Sequence, residues 1–410
     1  MSDRAMERLD LTPSLAKRQQ HGRRLSTRLP MVALVALLFA QRPAAAVELA
    51  LPGQLPSLDV HAFISQGFLF TSANDYLADS SRGSFEFSEV GLNVTLPATD
   101  RLTLGLQIFS RKLGPLGDYR ATLDWYYLDY HWRDWLGIRA GRVKLPFGLY
   151  NDISDVDAAR TAVLLPQSVY PAQNRDFLLA QTGVEAYGYK RLGPAGALDY
   201  RLYAGTIFLD VKPQPGSPFA VVDLNVPYVA GGRVQWLPID GLRLAGSLQF
   251  LRLDTDLLPA STSAPVAVKI PAALWVASAE YTVHELLFAA EYSRWLVTTQ
   301  SSNPSVFPEG STTSERAYAL ASYRLNPWLQ AAAYYSRLVP NVDRRTWPAG
   351  IQHDFALTLR FDVNRYWLIK AEGHYMRGTA GLSPSLNGNL PLSALTPDWA
   401  LFALKTTAYF

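Results

Sequence analysis

The residue types that do covalent chemistry are few in this chain and far apart. It has no cysteine, so thiol nucleophiles, thiolate metal sites and disulfides are all excluded. Beyond the N-terminal region the histidines are His61, His131, His284, His353 and His374; none stands in a G-x-S-x-G context and no two have H-x-x-x-H spacing. A hydrolytic site needs a nucleophile or activated water, a base and an orienting group close together, and no segment supplies the three. No catalytic residue, metal ligand or cofactor site is therefore assigned.

What the sequence does concentrate is fixed charge. Arg139, Arg142 and Lys144 precede a segment that runs from Pro146 to about Ala180, PFGLYNDISDVDAARTAVLLPQSVYPAQNRDFLLA. It carries Asp152, Asp155 and Asp157, then Arg160 and Arg175. Charges held at a narrow place raise the local concentration of counter-ions, which is the chemistry of selection rather than of catalysis. Connections of this length without regular structure are uncommon and usually functional. Val163, Leu164 and Leu165 do not suit a surface loop and call for something to bury against.

The elements that must position these residues have a period of two. Leu102, Leu104, Leu106 and Ile108 alternate with Arg101, Thr103, Gly105 and Gln107; Phe355, Leu357, Leu359 and Phe361 alternate with Asp354, Ala356, Thr358 and Arg360. Alternate side chains of a strand point to opposite faces. The segments run about ten residues, the length a tilted strand needs to cross a bilayer. Connections alternate in length. Short ones lie near Pro97–Asp100, Arg133–Asp134, Gly193–Gly196, Pro238–Gly241, Val283–Glu285, Asn326–Pro327 and Asn364–Arg365, mostly with the Pro, Gly, Asn or Asp of tight turns. Long ones lie near 71–83, 112–120, 146–180, 208–227, 253–271, 295–315, 338–351 and 376–399.

Seven tight turns and eight long loops make sixteen strands, with fourteen and eighteen as neighbouring solutions. An open sheet would leave unpaired edges in lipid, so the last strand must pair with the first, near Asp59–Phe70. The fold class expected is all-β: a transmembrane antiparallel β-barrel of sixteen strands over 58–410, with the long third loop folded into the lumen. Inward charges are expected also at Arg101, Arg111, Arg201, Arg233, Arg243, Arg316, Arg360, Lys370 and Lys405, opposed by Glu86, Glu89, Asp124, Asp199, Glu185, Glu280, Glu291 and Glu372. Trp125, Tyr126, Tyr127, Tyr130, Trp132 and Trp135 are expected to form part of an aromatic girdle at one membrane interface.

The two ends fit a barrel. Arg23, Arg24 and Arg28, the apolar run Met31 to Ala40 and the small Ala44 and Ala46 read as a signal peptide over 1–46, cleaved after Ala46. Residues 47–57 read as a short periplasmic lead-in. Residues 1–46 hold eight Lys/Arg and three Asp/Glu, so the remainder has 38 − 8 = 30 basic and 35 − 3 = 32 acidic residues, a formal net charge of −2. A nucleic-acid role loses its support. The last strand places Phe402, Leu404, Thr406, Ala408 and Phe410 on one face and ends the chain on an aromatic, the expected signal to the barrel assembly machinery.

The run GIRAGRVKLPFGLYNDISDVDAAR followed by VLLPQSVYP resembles the proteobacterial outer-membrane porins related to the phosphate-selective and dicarboxylate-type families, in which a GR-x-K-x-PFG-x-YN stretch leads from a strand into the pore-narrowing loop. FSEVGLNVT, LGLQIF and the terminal Phe agree with it. The resemblance implies a homotrimer in the bacterial outer membrane, surrounded by lipid and lipopolysaccharide. It further implies passage of small hydrophilic solutes with a mild preference for anions, and it places Arg139, Arg142 and Lys144 near the constriction. With the charges of the long segment, the expected pore-constriction set is Arg139, Arg142, Lys144, Asp152, Asp155, Asp157, Arg160 and Arg175. The alternatives are a channel specific for phosphate, dicarboxylate or another small organic anion, and a barrel-embedded hydrolase. The chain lacks the dense arginine and lysine ladder of the phosphate-specific kind and the coiled-coil segment that precedes the first strand in some dicarboxylate relatives.

Overall fold

The computed structural model describes residues 47–49, 57–209, 219–260 and 264–410. The expected signal peptide and residues 50–56 of the expected lead-in lie outside the described residues. A three-residue strand, β1 (Val47–Leu49), is followed by β2 (Leu58–Thr71), β3 (Phe87–Pro97), β4 (Leu102–Leu113), β5 (Thr122–Arg133), β6 (Leu136–Lys144), β7 (Ala180–Arg191) and β8 (Ala197–Thr206). Then come β9 (Phe219–Leu237), β10 (Leu242–Pro259), β11 (Val266–Val283), β12 (Leu286–Ser301) and β13 (Gly310–Asn326). The chain closes with β14 (Leu329–Val339), β15 (Gln352–Asn364), β16 (Trp367–Gly378) and β17 (Asp398–Tyr409).

Each strand from β2 to β17 pairs antiparallel with its successor, and β17 returns to β2 with Phe402 opposite Phe70 and Lys405 opposite Gly67. Sixteen strands thus form a closed barrel with no free edge. The seam is locked at its end by Phe410, whose N–H donates to the Ala62 carbonyl (3.0 Å) and whose carbonyl accepts from the Ala62 N–H (3.2 Å). Below that point β1 continues the pairing, Val47 opposite Val60.

The alternation produces two chemically different faces. Leu104, Ile108, Phe355, Leu357, Phe402 and Leu404 are exposed, as are dozens of other large apolar side chains around the wall. An apolar belt of that extent suits lipid and not water. The opposite positions are buried and polar: Gln107, Gln249, Glu291, Ser293, Lys370, Glu372, His374 and Lys405. No helix among the described residues is long and apolar enough to cross a membrane, and the strands are the crossing elements.

The wall is taller on one side. β9 to β13 are 16 to 19 residues long, whereas β6 has 9 and β8 has 10. At about 3.3 Å per residue an 18-residue strand reaches roughly 60 Å, well past a hydrocarbon core of about 30 Å. The expected loops 208–227, 253–271 and 295–315 are accordingly shorter than the sequence suggested, because β9 to β13 go on pairing above the membrane. Their inward alternation simply continues, with Leu253, Thr255 and Leu257 buried between partly exposed neighbours.

Candidate functional site

β6 delivers the chain into the segment 145–179, which carries little regular structure beyond short 3-10 turns and a single helical turn at Arg175–Leu178. A segment so poor in internal hydrogen bonds must find partners elsewhere. It finds them on the polar face of the wall. Arg201 of β8 pairs with Asp152 (2.8 Å), Arg233 of β9 donates to the Gly148 carbonyl (3.0 Å), Ser247 of β10 accepts from the Gly148 N–H (3.0 Å), and Glu280 of β11 accepts from the Tyr150 hydroxyl (2.6 Å). Glu291 of β12 takes the Leu149 N–H (2.9 Å) and the Tyr170 hydroxyl. Further round, Arg316 of β13 donates to the Ser168 carbonyl (2.9 Å) and Ser336 of β14 to the Ser168 hydroxyl (2.7 Å). Arg360 of β15 meets the Ala158 carbonyl (2.8 Å), Glu372 of β16 accepts from the Val163 and Leu164 N–H groups, and Thr407 of β17 donates to Asp157 (2.7 Å). On the other side, Arg175 forms a two-pronged pair with Asp124 of β5 (3.0 and 2.6 Å) and Arg111 of β4 reaches the Ala172 carbonyl (3.4 Å).

Gly148, within the PFG motif, makes this approach sterically feasible. Its φ is +62°, and a Cβ there would collide with the Tyr170 hydroxyl and the Glu291 carboxylate. The apolar residues also find their cover. Val163 and Leu164 are buried in one cluster with Tyr76, Leu77, Leu382, Leu395 and Trp399, contributed by the connections 72–86 and 379–397 and the start of β17. Those two connections are tied together by Asn74 and Thr396 through two hydrogen bonds of 2.8 and 3.1 Å. Leu165 packs instead with Leu149, Val169, Tyr170 and Tyr318.

The eight residues expected to line a constriction are almost all spoken for. Lys144 pairs with Asp155 (2.6 Å) and also donates to the Asp152 carbonyl (2.9 Å). Asp152 receives Arg201 and Arg233 (2.8 and 3.0 Å). Asp157 is surrounded by Lys405 (2.7 Å), Arg160 (2.9 Å) and Lys370 (3.7 Å). Burial alone would raise the Asp157 carboxyl, yet these cations overcome it and hold it well below the usual carboxylate range. Asp155 shows the same balance, burial opposed and outweighed by Lys144 and Arg175. Arg139 does not reach the segment's acids; it sits between Asp129 (2.8 Å) and Glu185 (3.0 Å) with the Tyr187 ring beneath it. Arg142 stands apart. Its register partner Tyr126 is exposed, and its Nε donates to the Asp124 carbonyl (2.7 Å).

The aromatic cluster divides between faces, which corrects the single-girdle expectation. Tyr126, Tyr130, Trp132 and Trp135 are exposed, whereas Trp125 and Tyr127 stack on each other, ring centroids 5.5 Å apart, beside Lys144 and Arg139. From Trp125 onward the odd and even positions of β5 point to opposite faces. Alternation puts Glu291 and Glu372 on the lumen face but does not mark them as anchors, because one acid on an alternating strand looks like any other until its donors are placed.

No family model matches the chain, and no curated protein matches it. Solved structures do. Outer-membrane expressed OmpT of Vibrio cholerae superposes with a TM-score of 0.58 at 11% identity, covering 88% of this chain and 99% of that one. An anion-selective porin from Comamonas acidovorans matches with a TM-score of 0.54 at 10% identity, over 86% and 99% of the two chains. The outer membrane channel DcaP of Acinetobacter baumannii matches with a TM-score of 0.52 at 10% identity, over 86% and 97%. At such identities the likeness is one of fold, and the fold is that of an outer-membrane β-barrel.

Proposed function

We propose that the chain is a porin of the bacterial outer membrane, giving small hydrophilic solutes a passive route down their gradients, with a mild preference for anions and no catalysis. A sixteen-strand barrel is wide enough to enclose an aqueous path, and what passes is set by the side chains and loops within it. The observation that carries the reading is the reach of segment 145–179: its polar contacts touch every strand from β8 to β17, then β4, β5 and β6, all through inward-facing polar groups or the backbone. Such a segment narrows the lumen rather than capping its mouth. The names of the structural neighbours, a channel and an anion-selective porin among them, support the same reading.

A homotrimer is the proposed assembly, in a shell of lipid and lipopolysaccharide, with Phe410 as the mark read by the barrel assembly machinery. Purified protein reconstituted in planar bilayers tests the function. Stepwise conductance, with a reversal potential on the anion side in a salt gradient, is expected. Absence of conductance from folded protein, or strict cation selectivity, would overturn the proposal.

A further inference from the structure

The strand cations that bond segment 145–179 are Arg111, Lys144, Arg201, Arg233, Arg316, Arg360, Lys370 and Lys405. Seven of them have a carboxylate within ion-pair distance: Asp176 at 3.9 Å for Arg111, Asp155 for Lys144, Asp152 for Arg201 and Arg233, Asp362 at 2.8 Å for Arg360, and Asp157 for Lys370 and Lys405. Arg316 has none among the described residues. Its guanidinium carbon lies over the Trp295 ring, 3.4 Å from the centroid, while Nε donates to the Ser314 hydroxyl (2.8 Å) and Nη1 to the Ser168 carbonyl (2.9 Å). Nη2 has no partner among the described residues.

This group borders a cavity of about 190 Å³ between the segment, β13 to β15 and the connections 72–86 and 379–397. Gln173 and Asn174 line the same cavity, and neither side-chain amide has a partner among the described residues. Asp354 lines it as well, held by His374 (2.8 Å) and Tyr334 (3.3 Å).

We infer that this cavity is a solute subsite in which Arg316 receives the carboxylate of a small monoanion while Gln173 and Asn174 bond hydroxyl or amide groups on its body. The inference rests on the channel reading. The oxyanion arm follows from the free guanidinium edge, since a planar, stacked donor pair matches a carboxylate. Single charge follows from the count: among the described charged residues lining the cavity, Arg316 is the one cation without a carboxylate, and Asp354 is already held by His374. Small size follows from the volume of about 190 Å³.

Planar-bilayer recordings with potassium glycerate as probe test it, with succinate and inorganic phosphate as the dianionic arms. Glycerate is expected to give a saturating conductance and to block chloride current, more strongly than either dianion. Arg316→Gln is expected to weaken the block by about tenfold, the lower end for a charged cleft, measured against the variant's own conductance in potassium chloride. Arg316→Lys, which keeps the charge without the planar fork, should preserve anion preference and lose part of the block; it also carries the test should the glutamine variant fail to fold. A wild-type channel that shows anion preference but no glycerate saturation overturns the subsite and leaves the channel reading standing. Equal block by succinate overturns the single-charge assignment. No channel at all removes the function proposed above.

Discussion

Two buried carboxylates hold the same segment by different physics. On the β15 to β17 side the segment supplies the acid: Asp157 enters a wall of Lys370 and Lys405, both fully buried, with Arg160 as its own third cation. On the β11 to β13 side the wall supplies the acid. Glu291 takes the Ser278 hydroxyl (2.5 Å), the Tyr318 hydroxyl (2.8 Å), the Tyr170 hydroxyl and the Leu149 N–H, and no cation lies within ion-pair distance among the described residues. Burial, then the adjacent Glu291, pushes the Tyr170 hydroxyl well above its ordinary range, so it remains a donor. The first anchor is concentrated in one charge balance. The second is spread over four neutral donors, and loss of any one leaves the rest in place.

That contrast orders the expected effects. Asp157→Asn leaves the buried Lys370 without a carboxylate and Lys405 with Glu89 alone (2.5 Å), and breaking a buried pair in this way costs about 3–5 kcal/mol. Urea unfolding in detergent should show the loss, and adding Lys370→Met should restore part of it. A single variant within about 0.5 kcal/mol of wild type, the ordinary range for an uninvolved surface site, would mean the ion-pair anchor is not one. Glu291→Gln is expected to be milder, about 1–3 kcal/mol, because the amide oxygen still accepts while its NH2 faces existing donors. Equal losses for the two variants would erase the distinction.

The pH response sharpens it further. Asp157 has its carboxyl depressed in the folded state, so its contribution is fully present above the unfolded value of about 3.9 and is lost as pH falls through the lower folded value. The stability gap between wild type and Asp157→Asn should therefore stay constant from neutral pH to about pH 5 and narrow below about pH 4. A gap that widens on acidification would reverse the assigned sign.

How much of this the sequence disclosed depended on range. Alternation is local, so the lipid-facing Leu104, Ile108, Phe402 and Leu404, the turns and the strand number could be read directly, and Val163 to Leu165 announced a need for cover. The pairing of charges is not local. Asp157 meets Lys405 across 248 positions, and nothing in the spacing of either says so. Strand ends were hidden for a related reason: alternation above the membrane looks the same as alternation within it, so β9 to β13 were cut at bilayer length. Arg316 was visible only as one inward cation among many, since its distinction is the carboxylate it lacks.

The smallest effect is expected at Arg142, and it separates a group that proximity in sequence had joined. Arg139 and Arg142 are three positions apart, and they have different partners. Arg139 neutralises Asp129 and Glu185; Arg142 opposes exposed Tyr126 and spends its Nε on a backbone carbonyl. Arg139→Gln should thus move the reversal potential toward cations by uncovering Asp129, while Glu185 keeps Arg201 (2.7 Å). Arg142→Gln should leave it where it was, at a stability loss of about 0.5–1.5 kcal/mol for one hydrogen bond. If Arg142→Gln instead shifted the reversal potential as far as Arg316→Gln, its guanidinium would have to face the solute path, and the selection of anions would belong to β6 rather than to the cavity beside β13.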